Sequence, residues 1–292
     1  MTIPRLSRRL LLQVGGAALG AALPQPQALA AAPPRYRPGA ISPREPLELF
    51  NGRDLTGFYT WLEDTHYDDP RRVFSVVDGA IRISGDGWGG LITDREYRDY
   101  VLDFEFRWGD ETHGRRRGMA RDSGVCVHCQ GPDGNIKGQF ITSHEYQIIE
   151  GGTGGLIVMT FGDDAEGRPI PCSAEAEVSE DKPNWYRWRR GATRRRLERT
   201  YIHWFAHDLG WQDVTGQRSP DDVERPVGEW NRCSIEADGD HLRFMLNGVV
   251  VNEAFAAVPR EGRILFQTEG AEIFFRNLVL RPIEASAEPV SR

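Results

Sequence analysis

Apolar and polar residues alternate with a period of two along most of the chain after residue 46. In the segment VLDFEFRW (residues 101–108), one face carries the large apolar side chains and the other carries the charged ones. The apolar face consists of Leu102, Phe104, Phe106 and Trp108. Successive side chains of a strand point to opposite sides, so this pattern predicts a half-buried β-strand.

Turn dipeptides divide the alternating segments at intervals of about ten residues. Asp78-Gly79, Asp238-Gly239 and Asn247-Gly248 each separate two apolar runs and predict three hairpins. Two further strands are expected on either side of Glu269-Gly270. Short strands with glycine turns favour an all-β, antiparallel sandwich. We expect it to form a single domain over residues 47–283, followed by a tail at 284–292.

The N-terminus differs in composition from this pattern. Arg8 and Arg9 precede an apolar run from Leu10 to Leu23, and small residues follow at 28–30. This order is typical of a twin-arginine signal peptide over residues 1–30. A membrane anchor is the alternative, but about 14 apolar residues are short for a bilayer span. We therefore expect export to the periplasm or medium, cleavage near Ala30, a Pro/Ala-rich linker at 31–46, and no stable membrane insertion.

Two segments, 110–121 and 179–226, break the alternation. The second is rich in arginine, at Arg189, Arg190, Arg194, Arg195, Arg196 and Arg199. We expect it to be a solvated loop, with contact to phosphate or an acidic glycan as the alternative. The net charge of the chain is −7, and removal of the basic N-terminus makes it more acidic. An acidic protein is a poor candidate for nucleic-acid binding.

The four cysteines are Cys126, Cys129, Cys172 and Cys233. Export permits disulfides, and four cysteines allow three pairings. Alternation within SGVCVHCQG predicts that Cys126 and Cys129 lie on opposite faces of a strand. We therefore interpret them as small buried side chains rather than as a redox or metal pair.

The candidate chemistry lies in HEYQIIEGGTGG, residues 144–155. In a regular strand, Glu145 and Gln147 share a face, whereas Glu150 has the opposite parity. A β-bulge near Ile148-Ile149 would bring Glu150 to the same face. Polar side chains on a buried sheet face are costly unless they meet a ligand, water or one another. The segment therefore predicts a polar row in a groove.

Nearby segments supply candidate partners for this row. Ser123 and His128 lie in one predicted strand, and His128 could act as an acid or base. Trp88 lies between glycines, where its ring could stack on a sugar, and Gln267 and Glu269 share a strand face. A structural histidine and a core tryptophan are the alternatives for His128 and Trp88.

Four stretches of the chain resemble one known family. They are LFNGRDLTGF, DSGVCVHCQG with HEYQIIEGGTGG, GEWNRCSIEADGDHLRFMLNGVVV, and GRILFQTEGAEIFFRNLVL, which together extend over about residues 47–283. These motifs, in this order, are similar to the 3-keto-disaccharide hydrolase domain family. The resemblance implies a concanavalin A-like lectin/glucanase sandwich (jelly roll) and activity on glycosides oxidised to a ketone at C3.

For this chemistry we hypothesise a division of roles among the candidate residues. Glu145 or His128 would remove the C2 proton, Glu150 would act as an acid or metal ligand, and Gln147 would bind substrate. His128, Glu145 and Glu150 could alternatively hold a divalent ion that polarises the ketone. Trp88, Ser123, Gln267 and Glu269 would contact the sugar.

Two positions depart from related sequences, and two other functions remain open. Gln147 stands where laminarinase-type glucanases of the same fold have Asp, which argues against ordinary retaining hydrolysis. Glu269 stands where many family members carry His. The alternatives are a non-catalytic, lectin-like carbohydrate-binding module and, less consistent with Gln147, a plain β-glucanase.

Overall fold

The computed structural model describes residues 37–284. The predicted signal peptide, residues 31–36 of the predicted linker and residues 285–292 lie outside them. The described chain contains twenty strands and a single helical turn, the 3-10 helix Gly114–Arg116. Within this range no helix has the length and apolar character that a bilayer span requires. The all-β class predicted from the alternation is confirmed.

Sheet I is antiparallel and has seven strands. Their spatial order is β4 (Phe74–Val77), β5 (Ala80–Ile83), β20 (Ala271–Pro282), β8 (Tyr100–Thr112), β16 (Asn231–Asp238), β17 (His241–Leu246) and β18 (Val249–Val258). The short strand β2 (Leu47–Glu48) pairs with one end of β20.

Sheet II faces sheet I and carries the candidate site. Its spatial order is β3 (Phe58–Leu62), β6 (Trp88–Thr93), β19 (Arg263–Glu269), β9 (Asp122–Gln130), β10 (Thr142–Ile149), β11 (Gly155–Met159), β15 (Tyr201–His203), β13 (Trp185–Trp188) and β12 (Ser173–Lys182). All neighbours are antiparallel except β15 and β13.

The two sheets are joined at one side through β12. This strand pairs with β18 of sheet I and with β14 (Arg194–Leu197). The strands thereby close on themselves in a near-barrel. Separately, β1 (Arg37–Ile41) and β7 (Arg95–Tyr97) form a small parallel pair.

The main core fills the space between the sheets. The predicted apolar face of β8 is confirmed: Leu102, Phe104, Phe106 and Trp108 are all buried there. Sheet II contributes Tyr146 and Phe266, whose rings lie 5.9 Å and 6.5 Å from that of Phe104. Burial of such a side chain contributes about 1.5–3 kcal/mol, so this layer fixes which face of each strand points inward.

The predicted hairpins occur, and one predicted turn has a different role. β4–β5, β16–β17 and β17–β18 are antiparallel pairs joined at Asp78-Gly79, Gly239-Asp240 and Asn247-Gly248. Glu269-Gly270 lies between two strands as expected, but these strands do not pair with each other. The chain crosses there from sheet II to sheet I.

The arginine-rich segment is more ordered than a solvated loop. It contains β13, β14 and β15 together with the end of β12. Six of its arginines form ion pairs within the described chain. Five lie in or next to these strands: Arg187–Asp181, Arg190–Glu253, Arg194–Glu177, Arg195–Glu180 and Arg196–Glu198; the sixth pair, Arg218–Asp222, lies in the following loop. The first five pairs hold the added strands along the side of sheet II.

The prediction that Cys126 and Cys129 lie on opposite faces is wrong. His128 adopts a left-handed backbone conformation (φ 58°), and the pairing of β9 with β10 and with β19 shifts register there. This bulge re-aims the chain, so both cysteines pack in a second hydrophobic cluster outside the main core. All four cysteines of the chain are buried free thiols.

Candidate active site

The face of sheet II that points away from the main core carries the polar row. Tyr146 and Ile148 of β10 are buried in the core, so Glu145 and Gln147 point to the opposite face. In the register of the sheet, Glu145 lies beside Cys126, and Gln147 lies beside Gly124. We refer to this face as the groove face, after the groove predicted from the sequence.

Glu145 and Gln267 meet above Gly124. A β-carbon at Gly124 would lie within 3.0 Å of Oε1 of both side chains. Glu145 and Gln267 are 2% and 1% exposed, and Oε1 of Gln267 has no hydrogen-bond partner among the described residues. Two acceptors can share this space when the carboxyl group carries a proton and donates it. Burial, together with the nearby Asp122, raises the pKa of Glu145 to about 8, which agrees with a protonated group.

Asp122 is the second carboxyl group on the groove face. Nε2 of Gln147 donates a hydrogen bond to its Oδ1 at 2.6 Å, and the Arg116 guanidinium lies 2.7 Å from its Oδ2. Burial raises the pKa of Asp122 to about 7, although Arg116 and Gln147 oppose the shift. The sequence offered a signal for this missed residue: Asp122 has the same parity as Gly124 in β9.

Glu269 completes the group, which we call the carboxyl cluster: Asp122, Glu145 and Glu269. Burial and the charges of Asp122 and Glu145 raise the pKa of Glu269 well above its usual range. Trp88 is its neighbour across the strands. The Arg115 guanidinium lies 3.5 Å from the centre of the Trp88 ring and covers the face on which a sugar could stack.

The cluster therefore holds protons that separate carboxyl groups would lose at neutral pH. Three neighbouring carboxyl groups cannot all ionise in a buried site, because each charge disfavours the next. The raised pKa values favour the presence of both ionised and protonated carboxyl groups in the cluster at neutral pH. That combination can remove a proton from one atom and deliver one to another.

Two predicted site residues lie on the core side of sheet II instead. The ring of His128 packs against those of Tyr100 and His144, and its Nδ1 lies 3.2 Å from the carbonyl oxygen of Pro259. Burial lowers the pKa of His128 to about 3. The hydroxyl of Ser123 donates to the carbonyl oxygen of Gln267 at 3.0 Å. The sheet thus separates both side chains from Glu145.

Glu150 also lies apart from the cluster, because the predicted bulge near Ile148-Ile149 is wrong. β10 continues in regular register with β9 through Ile149. Glu150 is 2% exposed and binds Arg121, whose Nη1 lies 3.0 Å from its Oε2, while the backbone NH of Gly216 donates to its Oε1 at 3.1 Å. These contacts occupy Glu150 in an internal ion pair.

The three residues considered for a divalent ion do not fit one. Glu145 faces the groove, His128 faces the core, and Glu150 is paired with Arg121. Over the described range 37–284, no group of three or more His, Cys, Asp or Glu side chains is arranged to hold a metal ion.

Comparison with known proteins identifies one family. Residues 45–281 match the model of the 3-keto-alpha-glucoside-1,2-lyase-like domain. No curated protein matches the chain at a significant level.

Two solved structures are among those to which the chain is similar. One is a candidate glycosyl hydrolase from Parabacteroides distasonis, with 17% identity, a TM-score of 0.46, and coverage of 82% of this chain and 94% of that one. The other is the carbohydrate-binding module CBM66 from Bacillus subtilis, with 13% identity, a TM-score of 0.40, and coverage of 77% and 96%.

Proposed function

Because this chain belongs to the 3-keto-alpha-glucoside-1,2-lyase-like domain family, we propose that it is an enzyme that cleaves glycosides carrying a ketone at C3. The observation that supports this most directly is the carboxyl cluster on the groove face. Its members combine raised pKa values with contacts to two amide side chains, Gln147 and Gln267.

A ketone at C3 makes the proton at C2 acidic. Removal of that proton gives an enolate, and the C1–O bond then breaks as the leaving oxygen takes up a proton. The product is an enone. Addition of water across its C1–C2 double bond returns a proton to C2 and places a hydroxyl on C1, so the two halves together amount to hydrolysis. Each half needs one base and one acid.

We assign the acid to Glu145 and the base to Asp122. Glu145 would donate to the leaving oxygen, since burial and the nearby Asp122 raise its pKa and favour the protonated form, although the amide of Gln267 opposes the shift. Asp122 would remove the C2 proton, because Arg116 favours its ionised form. In the hydration half, Glu145 takes a proton from water and Asp122 returns the proton to C2. His128 and Glu150 have no part in this assignment, because neither lies on the groove face.

The first experiment compares a 3-keto-disaccharide with its unoxidised parent. We expect wild-type protein to release free sugar only from the keto form. The Glu145→Gln variant should lower kcat by about 10²- to 10⁴-fold, the usual contribution of a general acid. The control is Glu236→Gln, which removes a carboxylate paired with Arg243 on sheet I. Cleavage of the unoxidised parent would indicate a β-glucanase, and binding without turnover would indicate a lectin-like module.

The order of bond breaking has its own test. With elimination, sugar released in D2O acquires deuterium at C2 during turnover. Direct displacement at C1 would leave the C2 hydrogen in place. As a control, free product is incubated in D2O with the Glu145→Gln variant. This measures the slow exchange of the C2 hydrogen that occurs without turnover.

We also propose that the protein is exported, as its N-terminal sequence predicts. Sequencing of protein recovered outside the cytoplasm should give a first residue close to Ala31. A species that retains Arg8 and Arg9 in that fraction would contradict cleavage.

A further inference from the structure

The arginine-rich segment 179–226 adds a strand to the groove face. Across the sheet, Glu145 of β10 lies beside Ile157 of β11, and Ile157 lies beside Tyr201 of β15. Residues aligned in this way point to the same side of a sheet, so Tyr201 and Glu145 share the groove face. Ile202, the next residue in β15, points to the core.

The ring of Tyr201 leans from β15 over Gly155. A β-carbon on Gly155 would overlap the ring and would lie 2.8 Å from the hydroxyl oxygen. Gly155 is the direct neighbour of Gln147 in the register of β10 and β11. The phenol therefore occupies the space that a side chain on β11 would fill, next to the polar row.

The hydroxyl of Tyr201 is buried and has no hydrogen-bond partner among the described residues. Burial, followed by the charges of Asp122 and Glu145, raises the pKa of Tyr201 above its usual range, so the group stays protonated at every working pH. Because Tyr201 lies on the groove face and not in the core, an acceptor supplied from outside the chain can meet this unpartnered donor.

We propose that Tyr201 contacts the substrate and donates a hydrogen bond to the C3 oxygen of the keto sugar. This inference rests on the proposed function. Asp122 would remove the proton from C2, and Glu145 would protonate the oxygen on C1. Negative charge develops on the oxygen attached to C3, which neither residue contacts in this assignment. A donor fixed beside that oxygen stabilises the enolate more than the ketone, so it accelerates the reaction. Tyr201 keeps its proton throughout, and the hydrogen bond shortens as charge grows on the oxygen.

The test is the Tyr201→Phe variant, which removes only the hydroxyl and keeps the ring over Gly155. The matched control is Tyr100→Phe, because the Tyr100 hydroxyl is also buried and unpartnered but lies in the core between the sheets. With the 3-keto-disaccharide, we expect Tyr201→Phe to lower kcat by about 10²- to 10³-fold, as for other oxyanion donors, with KM changed less than about threefold. Tyr100→Phe should behave as wild type.

Binding to inactive protein separates this inference from the proposed function. In the Glu145→Gln background, calorimetry measures Kd for the keto sugar and its parent with and without the Tyr201 hydroxyl. If wild type turns over the keto sugar and Tyr201→Phe retains kcat within about threefold, the inference is overturned and the function stands. If wild type binds the keto sugar without turnover, the proposed enzymatic function is wrong. The contact between Tyr201 and the sugar is then tested by Kd. A loss of at least tenfold for the keto sugar alone supports the contact, and equal Kd values or absence of binding overturn it.

Discussion

At the scale of single residues, the lack of a side chain at Gly124 leaves the space that Glu145, the proposed acid, occupies together with Gln267. Glu145 and Gln267 both reach over this position, one from each neighbouring strand. Glycine in a strand often marks such a close approach. The sequence shows Gly124 but does not show which side chains use the space.

We predict that Gly124→Ala lowers kcat/KM at least tenfold. The new methyl group meets the ends of two flexible side chains, which can move aside, so overpacking should cost about 1–2 kcal/mol of unfolding free energy. Gly210→Ala is the control, since its β-carbon would meet other atoms only at ordinary contact distance. Wild-type kinetics in Gly124→Ala would mean that the meeting of Glu145 and Gln267 has no catalytic role.

A second residue-scale prediction concerns pH. The pKa of Glu145 is raised from 4.5 to about 8 in the folded protein. Between these values the folded chain keeps a proton that the unfolded chain releases, so this group's contribution to the unfolding free energy falls as pH rises. Glu145→Gln carries no such proton.

The Tm of Glu145→Gln minus that of wild type should therefore increase from pH 5 to pH 8. Thermal melts of both proteins in matched buffers measure the difference, which also cancels the ionisable groups that do not interact with Glu145. A difference that stays constant over this range would show that Glu145 ionises normally.

At the scale of elements, the end of β10 is fixed by a buried ion pair. Glu150 accepts hydrogen bonds from Arg121 and from the backbone of Gly216, so it connects β10 to two loops. A carboxylate with these contacts positions the chain rather than transferring a proton. Removing one partner of a buried pair leaves the other charge unpaired.

We predict that Glu150→Gln lowers the unfolding free energy by about 3–5 kcal/mol, as expected for breaking a buried ion pair. Glu236→Gln, which breaks a partly exposed pair, should cost less than about 1 kcal/mol. Chemical denaturation measures both. Below the unfolding transition, Glu150→Gln should retain kcat within a few fold, and a loss comparable to that of Glu145→Gln would instead support Glu150 as the acid.

The bulge in β9 is the other element-scale feature with consequences for the site. At His128 the backbone turns to positive φ, which moves Cys129 to the same face as Cys126. A histidine carries no strong preference for this conformation, so alternation alone misplaced both Cys129 and His128. The bulge follows from pairing with β10 and β19 on both sides.

At the scale of the whole molecule, hydrophobic packing holds the described chain together without disulfide cross-links. Cys126, Cys129, Cys172 and Cys233 are buried free thiols, and burial raises the pKa of Cys129 and Cys172 to about 12. Protonated, buried thiols react slowly.

We predict that a reducing agent leaves the Tm unchanged. Alkylation followed by intact-mass measurement should add no group to the native protein within minutes and four groups to the unfolded protein. A drop in Tm on reduction, or fewer than four additions after unfolding, would reveal a disulfide.

Period-two alternation and turn dipeptides predicted the strand content, three hairpins and the shared face of Glu145 and Gln147, and the resemblance of four motifs indicated the family. All of these signals are local along the chain. Only the tertiary structure decided that Asp122, Gln267 and Tyr201 join Glu145, that Glu150 binds Arg121, and that His128 faces the core. These placements depend on cross-strand register and a bulge, which bring together residues as far apart in the sequence as Ser123 and Gln267. Packing between strands sets that register, and no local sequence pattern predicts it.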